Sequence, residues 1–88
     1  MKTTQISILL YGRDAHLQET RKWVLQSRGY RVLTIQRLTE LNRIPLTPPI
    51  ALLVLCHTLT SKECSEAIDR ATSRWPKIKK LALVRDSS

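Results

Sequence analysis

The chain has 88 residues, of which 42% are hydrophobic and 25% charged, a composition ordinary for one soluble globular domain spanning residues 1–88. Its two cysteines are too few for a disulfide-stapled secreted scaffold, and no apolar stretch reaches the roughly 18 residues of a membrane-spanning helix. The formal net charge of +8 could attract nucleic acid, although only KIKK (77–80) is a dense basic cluster. The chain start shows no signal-peptide cleavage pattern. We therefore expect a cytoplasmic protein with reduced thiols.

The first predicted elements are a strand and a helix. Residues 5–11, QISILLY, form a short apolar run that stops at Gly12, which is typical of a buried strand ending in a turn. Asp14 is expected to cap a helix over residues 15–28, because its carboxylate can accept hydrogen bonds from the free amides of the first turn.

The spacing of apolar residues predicts the buried face of this helix, and a glycine predicts its C-terminal end. Leu17, Val24 and Leu25 are predicted to share the buried face. Gly29 supplies a stop, since glycine adopts a left-handed conformation without steric cost. Residues 30–35, YRVLTI, are rich in β-branched side chains and predict a second strand.

The middle of the chain predicts a short helix and a third strand. Residues 36–44 carry apolar side chains at helical spacing, and Pro45 ends that pattern. Residues 50–56, IALLVLC, are apolar without alternation, which indicates a strand buried on both faces and hence a parallel sheet.

The clearest helix covers residues 60–75. Thr60 and Glu63 match a capping box, in which each side chain bonds a free backbone amide. The predicted core stripe of this helix follows at three- and four-residue spacing: Cys64, Ala67, Ile68, Ala71 and Trp75. Residues 80–84, KLALV, predict the fourth strand.

The resulting order, βαβαβαβ, requires a parallel sheet covered by helices on both faces. We predict an α/β fold of the flavodoxin-like type, a three-layer αβα arrangement with a doubly wound sheet of four strands in the order 2-1-3-4.

With that order, four stretches resemble the receiver domain of bacterial response regulators. ISILLYGRDAHLQ resembles the receiver's first strand and the loop into its first helix, and RGYRVLTI resembles the entry into the second strand. PIALLVLCHTLT resembles the third strand with its loop, and SRWPKIKKLALV resembles the link into the fourth strand. The resemblance covers nearly the whole chain but omits the last helix, strand and helix of the family.

The resemblance implies where phosphorylation chemistry would lie. Receivers phosphorylate an aspartate after strand three, hold Mg²⁺ with an acidic pair after strand one, and use a hydroxyl after strand four and a lysine after strand five. Here the phosphoacceptor position falls on Cys56, the acidic pair on Gly12 and Arg13, and the hydroxyl near Val84. Mg²⁺ prefers oxygen ligands, and Arg13 would repel it. The resemblance therefore implies a non-phosphorylatable pseudo-receiver, neither an enzyme nor a cofactor protein, that acts by protein interaction in signal transduction.

Arg13 and Cys56 each leave alternatives open. Arg13 is an exposed loop residue, a substitute for the metal's charge, or an anion contact at the start of the helix. Cys56 beside His57 suggests a nucleophile, but adjacent strand residues point to opposite faces, which favours a buried core thiol. A metal site combining these two residues with Cys64 and His16 matches no common zinc spacing.

We expect contact with a protein partner, or self-association through the apolar edge at 80–84 and the helix over 61–75. The candidate interaction surface comprises Trp23, Trp75, Leu81 and Leu83. A small basic nucleic-acid binder is the alternative function, motivated by the charge but supported by no recognition motif.

Overall fold

The computed structural model describes residues 6–46, 49–56 and 59–82. His57, Leu83 and Val84, and with them part of the predicted last strand, lie outside the described residues. The elements in chain order are β1 (Ser7–Tyr11), α1 (Ala15–Ser27), β2 (Arg31–Ile35), a short 3-10 helix η1 (Leu38–Arg43), β3 (Ile50–Leu55), α2 (Ser61–Arg74) and β4 (Lys79–Ala82).

All four strands pair in parallel in the order β2-β1-β3-β4, so the predicted sheet topology is confirmed. The two central strands, β1 and β3, are the most apolar, as expected for strands buried on both faces. Gly29 ends α1 with a φ of +91°, the left-handed conformation predicted for it.

Two apolar clusters lie on opposite faces of the sheet. Leu9, Leu53 and Leu55 face one side, where η1 and α2 cover them. Ile8, Leu10 and Val54 face the other side, where α1 packs against β1 and β2. The layers are therefore helix, sheet and helix, as the alternation along the chain predicts.

The second crossover differs from the prediction, because it is a 3-10 helix instead of an α-helix. Its start is fixed by Glu40, whose Oε2 accepts hydrogen bonds from the amides of Gln36 and Arg37 at 2.7 and 3.0 Å. Pro45 follows closely, so the segment is too short for several α-helical turns, and the tighter geometry suits such short pieces. Leu41 is nevertheless fully buried and anchors the segment.

The capping box predicted for α2 is confirmed: Thr60 Oγ1 accepts from the amide of Glu63 at 3.1 Å, and Glu63 Oε1 accepts from the amide of Thr60 at 2.9 Å. Trp75 ends the buried stripe of this helix and is only 3% exposed. Its Nε1 donates to the carbonyl of Leu46 at 3.2 Å. Its assignment to an interaction surface is therefore wrong, because its position one turn after the buried Ala71 turns the ring into the core.

The predicted face of α1 is also partly wrong. Val24 is 53% exposed, whereas Gln18 is buried. The side chains that turn toward the sheet are Gln18, Arg21 and Leu25, at three- and four-residue spacing. Trp23 is 71% exposed and stays a candidate contact residue. In the described part of the chain, no helix is long and apolar enough to cross a membrane.

Candidate functional site

The loops that follow β1 and β3 lie side by side at the C-terminal edge of the sheet. The amide of Cys56 donates to the carbonyl of Tyr11 at 3.0 Å, and the amide of Gly12 donates to the carbonyl of Ile35 at 3.2 Å. Because parallel strands end at the same edge, these bonds bring Gly12 and Arg13 next to Cys56. The fold thus places these three sequence-predicted positions close together.

Arg13 forms an ion pair with Glu63 at the first turn of α2. The pKa of Glu63 lies below its usual range, because the amide of Thr60 and then Arg13 donate hydrogen bonds to the carboxylate. The pKa of Arg13 is raised in turn by the same carboxylate. Arg13 is exposed, as expected of a loop arginine, but no local sequence pattern predicts its ion pair with α2. The pair therefore connects the loop after β1 to α2, the helix that follows β3 in the chain.

Asp14 caps α1, as predicted, and accepts from the amide of Leu17 at 3.1 Å. Its carboxylate is therefore committed to the helix terminus. Neither Gly12 nor Arg13 supplies a carboxylate, and the acidic group of Glu63 already pairs with a guanidinium. These residues do not fit Mg²⁺, which requires several oxygen ligands.

Cys56 is buried at the end of β3, and its Sγ accepts a hydrogen bond from Arg21 Nη1 at 3.1 Å. Cys64 is half-buried on α2; burial and then the charge of Glu63 raise the pKa of its thiol. Among the described residues, no group of three or more His, Cys, Asp or Glu side chains could hold a metal ion.

Gln18 is a structural residue that sequence reasoning missed. Its Nε2 donates to the carbonyls of Leu10 and Ile35, at 3.3 and 2.8 Å. These bonds tie the first turn of α1 to the ends of β1 and β2. Its spacing with Arg21 and Leu25 was the available signal, but a polar residue is seldom assigned to a buried face.

An open cleft of about 490 Å³ lies above this edge, between the loop after β1, the start of η1 and the start of α2. Charged and polar groups of both signs line it: Tyr11, Arg13, Gln36, Arg37, Glu63 and Glu66, together with Leu38. The pKa of Tyr11 is raised, first by burial and then by the charge of Glu63. The mixture of signs does not select one class of ligand.

Comparisons with known proteins place the fold. No protein family and no curated protein matches the sequence. Among solved structures, the chain is similar to the non-phosphorylated HemR receiver domain from Leptospira biflexa, with a TM-score of 0.76 and 23% sequence identity. The match covers 96% of this chain and 68% of that one. The chain therefore has a receiver-like fold, as the sequence resemblance implied.

Proposed function

We propose that this receiver-like domain lacks aspartyl-phosphate chemistry and acts by binding a protein in a signalling or regulatory pathway of the cytoplasm. The observation that carries the proposal is the set of side chains at the C-terminal edge of the sheet. By the sequence resemblance, Cys56 falls at the position of a receiver's acceptor aspartate, and Gly12 and Arg13 fall at the positions of its acidic pair. A coarser role as a signalling-related module is supported by the receiver-like fold itself.

The chemistry of these residues argues against phosphoryl transfer. Formation of an aspartyl phosphate requires a nucleophilic carboxylate, whereas Cys56 offers a buried thiol whose Sγ already accepts a hydrogen bond from Arg21. Metal-assisted transfer needs Mg²⁺ to neutralise the developing charge on the phosphoryl oxygens. The guanidinium of Arg13 places a fixed positive charge at that edge but cannot bind or position an Mg²⁺ ion.

The ion pair between Arg13 and Glu63 suggests how the domain works without a phosphoryl switch. It links the loop after β1 to the first turn of α2 through a contact that does not depend on phosphorylation. A domain fixed in one state would present one binding surface all the time, to a partner protein or to a second copy. The exposed edge strand β4 is the surface at which the sequence predicts self-association.

Incubation with Mg²⁺ and acetyl phosphate, followed by intact-mass measurement, tests the loss of chemistry. We expect no stoichiometric mass gain, while an active receiver domain in the same buffer becomes modified. Addition of beryllofluoride should leave the amide resonances of Gly12, Arg13 and Cys56 unchanged. A stoichiometric adduct, or shifts confined to these residues, would overturn the proposal.

A matched variant tests whether the missing acceptor carboxylate alone accounts for the lack of phosphorylation, or whether the missing metal ligands also matter. Cys56→Asp restores the acceptor carboxylate but none of the metal ligands, so it should also stay unmodified. Self-association is tested by sedimentation velocity over a wide concentration range. If the chain is strictly monomeric, the hypothesis that its partner is a second copy is excluded.

A further inference from the structure

Half of one face of the sheet has no helix over it within the described part of the chain. α1 packs against β1 and β2, while β3 and β4 continue beyond it on the same face. Two rows of paired side chains cross this face. One runs from Ile8 through Leu52 to Lys79, and the other from Leu10 through Val54 to Leu81.

The uncovered half forms a groove between α1 and β4. Two adjoining depressions of about 560 and about 320 Å³ share Ile8, Leu25 and Leu52 in their walls. Val24 and Leu81 stand on opposite sides of it, 53% and 48% exposed. Small domains seldom expose several large apolar side chains together unless they meet a partner.

The charged residues in the walls of the groove are basic. Lys77 and Lys79 line it at one end, and Arg21 lines it toward the end of β3. Of the described residues that form its walls, none is acidic. The groove therefore combines an apolar floor with a basic rim, and an acidic partner complements it.

We propose that this groove binds an amphipathic α-helix of a partner protein, with leucine-like side chains on its buried face and Asp or Glu on its flanks. The inference rests on the proposed function, since it names the surface and the partner chemistry of a protein-binding domain. A helix about 10 Å wide spans two strands that lie about 4.8 Å apart, and parallel sheets are normally covered by helices on both faces.

Charge argues for a different protein instead of a second copy. Each copy carries a formal charge of +8, so two copies repel each other. A symmetric contact through the groove would also bring the basic rims close together. An acidic helix avoids both costs and gains charge-assisted contacts with Lys77 and Lys79.

The test uses two labelled helical peptides of about 18 residues, or five turns, with the same leucine face. One carries Glu on its flanks and the other Lys. We expect the Glu peptide to bind at least about tenfold more tightly in fluorescence anisotropy. Amide shifts on binding should fall on Leu52, Val54 and Leu81.

Variants distinguish peptide binding in the groove from non-specific binding to other exposed apolar side chains. Leu81→Glu and Val24→Glu should each abolish binding, whereas Leu46→Glu should bind as the parent does. Leu46 is a matched control because it is 54% exposed but does not line the groove. Circular dichroism of each variant shows whether it remains folded.

A charge-reversal variant distinguishes the effect of the basic rim on peptide affinity from the effect of the overall net charge. Lys79→Glu should lower the affinity for the Glu peptide and raise the affinity for the Lys peptide. Arg70→Glu, on α2, alters the net charge by the same amount but should change neither affinity. Equal affinity for both peptides, or shifts that fall on α2, would overturn the proposal. A dimer that Leu81→Glu breaks and Leu46→Glu leaves intact would assign the groove to a second copy. A phosphoryl adduct would overturn the proposed function alone, since the peptide titration is independent of it.

Discussion

Arg21 on α1 donates a hydrogen bond from its Nη1 to the Sγ of Cys56, 3.1 Å away and 35 residues later in the chain. The bond joins the helix on one face of the sheet to the end of β3. It gives the buried thiol of Cys56 a hydrogen-bond partner, so both side chains are expected to contribute to the stability of the fold.

Removal of either partner should therefore cost stability. Cys56→Ala loses a buried sulfur and its hydrogen bond, and we expect the free energy of unfolding to fall by about 1–2 kcal/mol. Arg21→Met keeps most of the aliphatic stem but loses the donor. Urea denaturation of both variants and the double variant should give a coupling of about 0.5–1.5 kcal/mol. Strictly additive effects would contradict a specific contact between the two side chains.

The two thiols should differ in reactivity with iodoacetamide. Cys56 is buried and should resist alkylation in the native protein, while the half-buried Cys64 should react slowly. Because the pKa of Cys64 is raised, its thiolate fraction at any given pH is below that of a free cysteine. Its alkylation rate, followed by peptide mass spectrometry, should keep rising past the pH at which a free thiol levels off. Glu63→Gln should shift that profile to lower pH, since the charge of Glu63 helps to raise this pKa. An unchanged profile would exclude that influence.

Two glutamates should make the native state sensitive to acid. The pKa of Glu63 is lowered by the amide of Thr60 and by Arg13, and the pKa of Glu40 by the amides of Arg37 and Gln36. Groups with a lowered folded-state pKa stabilise the protein above their ordinary pKa, and this stabilisation is lost as pH falls through the folded value.

The variant carrying Glu40→Gln and Glu63→Gln should thus melt below the parent at neutral pH and approach it in acid. Thermal denaturation followed by circular dichroism, from neutral pH down to acid, measures the difference in melting temperature between the variant and the parent. Glu19→Gln, an exposed change on α1, removes one carboxylate in the same way and is the control for the change in net charge. A gap that widens on acidification would show the wrong sign for these carboxylates.

The two tryptophans should report opposite environments. Trp75 is buried and donates to Leu46, whereas Trp23 is exposed on α1. Trp23→Phe should leave blue-shifted emission that resists acrylamide, because only the buried indole remains. Trp75→Phe should leave red-shifted emission that acrylamide quenches readily, with a loss of about 1 kcal/mol of stability from the missing hydrogen bond. Similar quenching of both variants would contradict the core position of Trp75.

Features that depend on neighbours in sequence were predictable. Asp14 caps α1, and Thr60 with Glu63 caps α2, because each involves groups within three residues of one another. The short apolar run over β3 indicated a parallel sheet, since both its faces had to be buried. The receiver-like order of elements followed from the same local patterns.

The contacts at the site and the groove could not be predicted in this way. Arg13 meets Glu63 across 50 residues of sequence, and Val24 turns to the uncovered half of the sheet although its spacing suggested the core. The first outcome depends on how α2 is placed relative to β1, and the second on how α1 is placed relative to the strands, and no local pattern encodes either placement.

By itself, the sequence determined which segments become strands and helices, because hydrophobic period and capping chemistry act over a few residues. Its resemblance to receivers predicts that Cys56, Gly12 and Arg13 fall at positions where a receiver carries carboxylates. Only the tertiary structure decided what those residues contact, and that the face beside α1 is open and rimmed by lysines. Both depend on packing between distant segments, and that packing is set by the three-dimensional arrangement of the sheet and its helices.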